Sequence, residues 1–355
     1  MKDETNRTLY LFSSDTPLLT SKGVSFDNIK DIYNRWDEPW RFYHTKKHLF
    51  DILSKIDEIS DLDKKELDIL KVSAIFHDAV YLPWNLTPGS NEDESYKLFE
   101  SYCISADKDF KEAVKKVIDG TKSRALPEDK LAKIFWNIDN SIIYNSTFSQ
   151  MLEWEEAIFK EFQFAPYSMY RENRIKFLNS INVVVGDTHT SQKIDNLIDY
   201  VKTRKIKIGI YAGSFNPFHI GHLNIIEKAE KIFDKVVIVQ AVNPLKNKSV
   251  SDIMKVVRIC NRERAILDKG ELIVDFIDKQ EIENCEVYLI RGLRNGADLS
   301  YEENQNFINA QLKPGLRTVY LHCDKEYENI SSSLIRSLID INDERSNLIV
   351  KDMLV

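Results

Sequence analysis

The stretch Ile208-Gly209-Ile210-Tyr211-Ala212-Gly213-Ser214-Phe215-Asn216-Pro217-Phe218-His219-Ile220-Gly221-His222 decides how the second half of the chain folds. Its apolar opening reads as a buried strand, the segment from Gly213 onward as a loop, and residues 222–233 as a helix. A glycine in such a loop lets the backbone approach an anion, and free N–H groups at the following helix N-terminus favour negative charge. Two imidazoles spaced as His-x-Gly-His beside that terminus can donate hydrogen bonds to phosphoryl oxygens. The stretch is therefore read as a phosphate site.

Outward from it, the rhythm is strand then helix. Strands are expected at residues 207–212, 235–241, 286–291 and 318–322, with helices at 222–233, 252–266, 298–312 and 332–339. That alternation implies an α/β domain with a parallel sheet and helices on both faces. Four further segments fall after consecutive strands or at helix starts, on the face where open α/β sheets bind ligands. Asn243-Pro244-Leu245-Lys246 brings an amine, and Arg291-Gly292-Leu293-Arg294 brings two guanidinium groups suited to phosphate. Asp298-Leu299-Ser300-Tyr301-Glu302 opens a helix with acidic residues, and Ser331, Ser332 and Ser333 offer hydroxyls at another helix start. Each segment alone has a bland reading as a cap or a solvated surface charge. Four together after consecutive strands point to one anion-binding cleft.

The first half reads differently. From about residue 26 to 181 the patterns are helical, as in Leu49, Ile52, Leu53 and Ile56, with almost no strand signal. Leu67, Leu70 and Ala74 make another apolar face whose spacing continues to His77, so that histidine should point inward. Residues 191–205 look like a polar, partly helical connector, which puts the domain boundary between Thr188 and Lys205 and gives domains at 1–190 and 205–355. His44, at a helix start, the pair His77-Asp78, at a helix end, and Asp139 offer two imidazoles and two carboxylates. A borderline divalent ion accepts that mixed N and O set. Spacing alone leaves capping or core histidines equally open.

The 355 residues suit two domains, and 43% hydrophobic with 30% charged residues describes a soluble globular chain. A net charge of −7 argues against a general nucleic-acid partner. Cys103, Cys260, Cys285 and Cys323 form no Cys-x-x-Cys pair and read as free thiols of a reducing cytosol. No apolar run approaches membrane-spanning length, so a cytoplasmic protein without a membrane partner is expected.

The set His44, His77-Asp78 and Asp139 resembles the HD superfamily of metal-dependent phosphohydrolases. The flanking segments Arg41-Phe42-Tyr43-His44, Ala74-Ile75-Phe76-His77-Asp78-Ala79-Val80-Tyr81, Asn91-Glu92 with Ser95, and Asp139-Asn140-Ser141-Ile142-Ile143 are similar to one subgroup of it. The resemblance implies an all-α HD domain in which His44, His77, Asp78 and Asp139 hold a divalent transition metal, with Glu92 near a water. His48 stands as a fifth polar contact or as a core or solvated residue. The subgroup usually carries a histidine shortly after a threonine in the middle helix, where this chain reads Thr121-Lys122-Ser123. That departure puts the hydrolytic chemistry in question more than the fold. A domain that only binds a nucleotide or organises an oligomer is the alternative.

The second half resembles the nucleotidyltransferase superfamily with the His-x-Gly-His signature and, within it, the phosphopantetheine adenylyltransferases. A Rossmann-like domain is implied, with ATP, its Mg2+ and a small phosphorylated acceptor as partners, and an oligomer of like chains. By that resemblance Ser214, Lys246 and Arg291 hold the acceptor phosphate, and His222 meets the α-phosphoryl group. Gly213, Phe215 and His219 complete the loop. Arg294, Asp298, Tyr301, Glu302 and Ser331 to Ser333 handle ATP, with His222, Lys246 and Arg294 as the catalytic set. Leu272, Ile273 and Val274 match the segment lining the pantetheine arm, and Asn309 joins the same cleft. Asn216 and His219 depart from that family, whose members usually carry Asp and Thr there. They follow the pattern common in nicotinamide and nicotinate mononucleotide adenylyltransferases, which keeps a pyridine mononucleotide open as the acceptor.

Overall fold

The computed structural model describes residues 15–123, 125–184, 186–241, 253–256, 259–268, 270–281 and 284–340. The chain divides into two compact units, Met1–Phe162 with Asn173–Tyr200, and Gln163–Glu172 with Val201–Val355.

The first unit is helical. A helix α1, described over residues 15–21, precedes α2 (Phe26–Arg35), α3 (Lys46–Asp57), α4 (Lys64–Phe76), α5 (Ser90–Tyr102), α6 (Lys108–Thr121), α7 (Lys130–Asp139), α8 (Ser141–Asn145) and α9 (Phe148–Glu161). Helix starts are set by local chemistry. Asp63 and Glu66 form a reciprocal capping box at α4, and the Asp107 carboxylate accepts from the Phe110 N–H at α6. Leu49, Ile52, Leu53 and Ile56 form one buried face of α3, as their spacing predicts. They pack in a core with Trp36, Phe76, Phe99, Phe110 and Phe135. His77 is buried as expected, at 1% exposure.

Two further helices, α10 (Tyr167–Val184) and α11 (Thr188–Thr203), follow. The expected polar connector is thus mostly α11, which buries Ile194, Leu197, Ile198 and Val201. No described helix is long and apolar enough to cross a membrane.

The second unit carries strands β1 (Ile206–Gly213), β2 (Lys235–Gln240), β3 (Glu263–Ile266), β4 (Cys285–Leu293) and β5 (Thr318–His322). They form one parallel sheet in the order β3-β2-β1-β4-β5. Helices α12 (Ile220–Ala229), α13 (Ile273–Gln280), α14 (Gly296–Leu312) and α15 (Ser332–Asp340) follow β1, β3, β4 and β5 in turn. The chain leaves β1 toward β2 on one side and returns to β4 on the other. Connections that diverge in this way open a crevice at the carboxyl ends of β1 and β4.

Two elements differ from the sequence expectation. Residues 252–266 do not form one helix: among the described residues a 3-10 turn at Ile253–Lys255 is followed by β3. Helix α13 was not foreseen. Gln163–Glu172, whose pattern is that of the helical half, belongs to the second unit. The cause is Lys235, 1% exposed, whose ammonium donates to the carbonyls of Gln163 (2.6 Å) and Ala165 (2.8 Å) and pairs with Glu263 at 3.0 Å. A buried cation needs such partners, and here residues about 70 positions away in sequence supply them.

Candidate functional sites

In the helical unit, the ends of four helices deliver a cluster of titratable side chains. His48 lies in the first turn of α3, His77 caps α4, and Asp139 and Glu161 are the last residues of α7 and α9. Three helix C-termini, with their partial negative charge, favour a cation there. Arg41 fixes the geometry: its guanidinium donates to the carbonyls of His44 (3.2 Å), Asp78 (2.8 Å) and Ala79 (3.3 Å). The segment after Asp78 is pinned to α5, with Ser95 bonded to Val80 and Asn91 to Leu82.

The Nδ1–H of His77 donates to the Ala74 carbonyl at 2.9 Å, which turns Nε2 toward the carboxylates. Nε2 lies 3.2 Å from Asp78 Oδ2 and 3.8 Å from Asp139 Oδ1, yet is buried without a hydrogen-bond partner. His48 Nε2 is 3.1 Å from Asp139 Oδ1. Donor atoms of His48, His77 and Asp139 all fall within 4.8 Å of one another. Burial pushes the His77 imidazole down, but Asp78 and Asp139 outweigh it and push it up to about 9. Burial pushes both carboxyls up, but His77 holds Asp78, and His48 with His77 holds Asp139, below the usual carboxylate range. Imidazole nitrogens converging on two carboxylates, with one nitrogen left unpartnered, fit a divalent cation.

Of the four ligands expected from the sequence, His77, Asp78 and Asp139 meet here. His44 stands further out, its Nε2 3.9 Å from Asp78 Oδ2. His48, left between two roles in the sequence, belongs to the tightest group. Glu161 was missed: its carboxylate accepts from the backbone N–H groups of Phe42, Tyr43 and His44, from His44 Nδ1, and from the Tyr81 hydroxyl. Burial pushes this carboxyl up, but His44 and the backbone donors win and hold it at about 2. At the position of the missing subgroup histidine, Lys122 pairs with Asp93 and Asp119. Thr121 and Ser123 instead line a cavity of about 100 Å³ beside Asp139.

In the α/β unit, a cavity of about 520 Å³ opens at the carboxyl ends of β1 and β4. Gly213, Ser214, Phe215, His219 and His222 line it from the β1–α12 turn, and Arg291 and Arg294 from the end of β4. Asp298, Tyr301 and Glu302 line it from α14, and Ser331 to Ser333 from the start of α15. The turn is held from below: Gln240, fully buried at the end of β2, donates to the Ser214 carbonyl at 3.0 Å and accepts from the Ile253 N–H. Phe215 takes a positive φ of 44°, strained for a residue with a side chain, with its ring buried against Tyr211 and Phe218.

The two histidines stack with ring centroids 3.6 Å apart. The backbone N–H of His219 donates to His222 Nδ1 at 3.2 Å, so a neutral His222 carries its proton on Nε2. Burial, then the neighbouring His219 and Arg294, hold His222 well below the usual imidazole range. Burial and Arg294 hold His219 at about 4. Both rings are therefore neutral near pH 7. Asp298 grips Arg294 through both oxygens at 2.8 Å and holds the guanidinium in place. Arg291 lies 3.4 Å from Glu302, whose carboxyl burial pushes up. Neutral donors, two guanidinium groups and serine hydroxyls around one cavity suit a polyphosphate.

Residues 210–338 match the cytidylyltransferase-like family. The phosphopantetheine adenylyltransferases of Streptococcus suis and Streptococcus pneumoniae are each 38% identical to the chain, over 141 and 140 residues, covering 38% of this chain and 83% of each relative. Through its α/β unit the chain belongs to the phosphopantetheine adenylyltransferase family. Nucleotidyltransferase activity, with a nucleotide and a small substrate as ligands, is supported for that unit by this kinship.

Some residues expected at the site stand elsewhere. Leu272 precedes α13 and Ile273 and Val274 begin it, while Asn309 lies in the later turns of α14; none of the four lines this cavity. Lys246 lies outside the described residues.

Proposed function

We propose that the α/β unit transfers the adenylyl group of ATP to 4′-phosphopantetheine, forming dephospho-coenzyme A and pyrophosphate. An acceptor phosphate oxygen attacks the α-phosphorus in line; the new P–O bond forms as the bond to the β-phosphate bridging oxygen breaks. A phosphate monoester is already anionic at neutral pH, so no proton has to be removed. The work left to the protein is positioning and stabilisation of charge on the transferring and leaving oxygens. The observation that carries the reading is His222, whose Nδ1 is taken by the His219 N–H and whose Nε2–H is free to meet a phosphoryl oxygen beside Arg294. In this reading Arg291 and Ser214 hold the acceptor phosphate, and Arg294 and the Ser331 to Ser333 run hold the β- and γ-phosphates of Mg2+-ATP.

The relatives' acceptor supports phosphopantetheine, whereas Asn216 and His219 favour a pyridine mononucleotide. Pyrophosphate release with ATP and, in turn, 4′-phosphopantetheine, nicotinamide mononucleotide and nicotinate mononucleotide separates the two. Turnover with phosphopantetheine at least tenfold above either nucleotide is expected. The reverse order would transfer the assignment, and silence with all three would remove it.

For the helical unit, the unpartnered Nε2 of His77 and the resemblance to HD phosphohydrolases support a divalent transition metal held by His77, Asp78, Asp139 and His48, with His44 as a further donor. Such an ion supplies Lewis-acid polarisation of a phosphoryl oxygen, the chemistry of phosphate-ester hydrolysis. The histidines and carboxylates of the chain orient it, and the small cavity beside Asp139 admits solvent-sized groups. Metal analysis of gel-filtered protein should find about one equivalent, and phosphate release from a nucleotide panel with Mn2+, Co2+ or Mg2+ should follow. Metal without release would mark a binding module, and neither would end the reading.

A further inference from the structure

Glu161 lies outside every motif of the chain, yet its carboxylate makes five hydrogen-bond contacts. One oxygen accepts from three consecutive backbone N–H groups, Phe42 at 2.8 Å, Tyr43 at 2.7 Å and His44 at 2.9 Å. The other meets His44 Nδ1 at 2.7 Å and the Tyr81 hydroxyl at 2.8 Å. Its side chain is fully buried. Successive N–H groups converging on one anion fix the backbone of that turn.

An ionised carboxylate has no hydrogen to offer, so the shared contact with His44 requires the proton on Nδ1. A neutral His44 then presents its lone pair at Nε2, 3.9 Å from Asp78 Oδ2. His77 shows the same arrangement from the other side: a carbonyl accepts its Nδ1–H, and Nε2 faces the same Asp78 oxygen at 3.2 Å. Two pinned rings thus aim ligand nitrogens at one carboxylate oxygen. We infer that Glu161 is the positioning residue that makes His44 a metal donor, by fixing both its tautomer and the turn that carries it. The inference rests on the metal reading of the preceding section.

Substituting Glu161→Gln keeps the size and an acceptor oxygen for the backbone donors but turns an amide N–H₂ toward His44. Nδ1 must then accept, the proton moves to Nε2, and the donor is lost. Loss of such an outer partner typically costs about 10–100-fold in metal affinity. The test is zinc titration of the full chain by calorimetry, with long-range ¹H–¹⁵N spectra of [¹⁵N]histidine-labelled, zinc-loaded protein. Wild type should show His44 protonated at Nδ1; E161Q should bind zinc at least tenfold more weakly, with the His44 proton at Nε2. Tyr81→Phe, which removes a partner of the same oxygen but leaves the tautomer unchanged, should stay within about twofold of wild type. If wild type binds zinc and E161Q matches it, the inference falls alone. If wild type binds no zinc, the metal reading falls and takes the inference with it. Should E161Q fail to fold, an Nε2–H tautomer for His44 in zinc-loaded wild type still overturns the inference, and an Nδ1–H tautomer supports it.

Discussion

The backbone N–H of His219 decides which nitrogen of His222 carries a proton, and burial with the neighbouring His219 and Arg294 keeps that ring neutral. A donor aimed at developing charge and removed by mutation costs about 10²–10³ in turnover at comparable sites. His222→Ala should therefore lower kcat for pyrophosphate release by that factor with the thermal midpoint unchanged; a near-normal kcat would take His222 out of the chemistry. His219 carries a stability signature as well. Its folded pKa of about 4 lies below the ordinary 6.5, so between those values the unfolded chain binds more protons than the folded one. Stability then rises with pH across that window and is lost on acidification through it. His219→Asn should flatten the unfolding free energy against pH from about 6.5 to 4, by up to about 3 kcal/mol in all. An unchanged slope would show that His219 does not titrate with a depressed pKa. At this scale the meeting of His222, Arg291 and Arg294 around one cavity was legible in the sequence, because they sit at fixed offsets after strands. Glu161 and Gln240 were not, since the first bonds residues 117 to 119 positions away and no local pattern marks it.

Strands and helices of the second unit were legible where a buried parallel strand forms an unbroken apolar run, as β1 and β2 do. Residues 252–266 misled because Ile253, Val256 and Ile259 repeat every three positions and are all buried. That period serves a 3-10 turn as well as it mimics a helix. Strand β3 has only four residues, too few for alternation to register, and Lys235 rather than its own pattern fixes its Glu263. Inside β1, Gly209 marks where an element has no room. A Cβ there would come within 2.5 Å of Ile290 Cδ1 and 2.8 Å of the Phe233 ring. Gly209→Val in the central strand should destabilise the α/β unit by about 1–3 kcal/mol in urea titration, at an unchanged m-value. A neutral result would mean that Ile290 and Phe233 can both give way.

On the scale of the whole molecule, each unit carries its own hydrophobic cluster, one centred on Trp36, Leu49 and Phe76 and the other on Phe215, Ile226 and Ile290. In the sequence the rhythm changes from helix to strand and helix; in the structure Gln163–Glu172, of helical pattern, groups with the strands. Separate cores, with a different ligand proposed for each, make a calorimetric experiment decisive. A ligand that binds only the folded form stabilises it by about 2.7 kcal/mol at a hundred times its Kd, which for units of this size moves Tm by roughly 5–10 °C. Zinc should raise one heat-absorption peak and Mg2+-ATP the other. His77→Ala should abolish the zinc shift and leave the ATP shift intact, because His77 supplies the one buried nitrogen in the cluster without a hydrogen-bond partner. Arg294→Ala should do the reverse, its guanidinium being held by Asp298 in the lining of the α/β unit's cavity. A single peak moved by both ligands would show that the two cores unfold as one, and a zinc shift surviving in H77A would place the metal elsewhere in the chain.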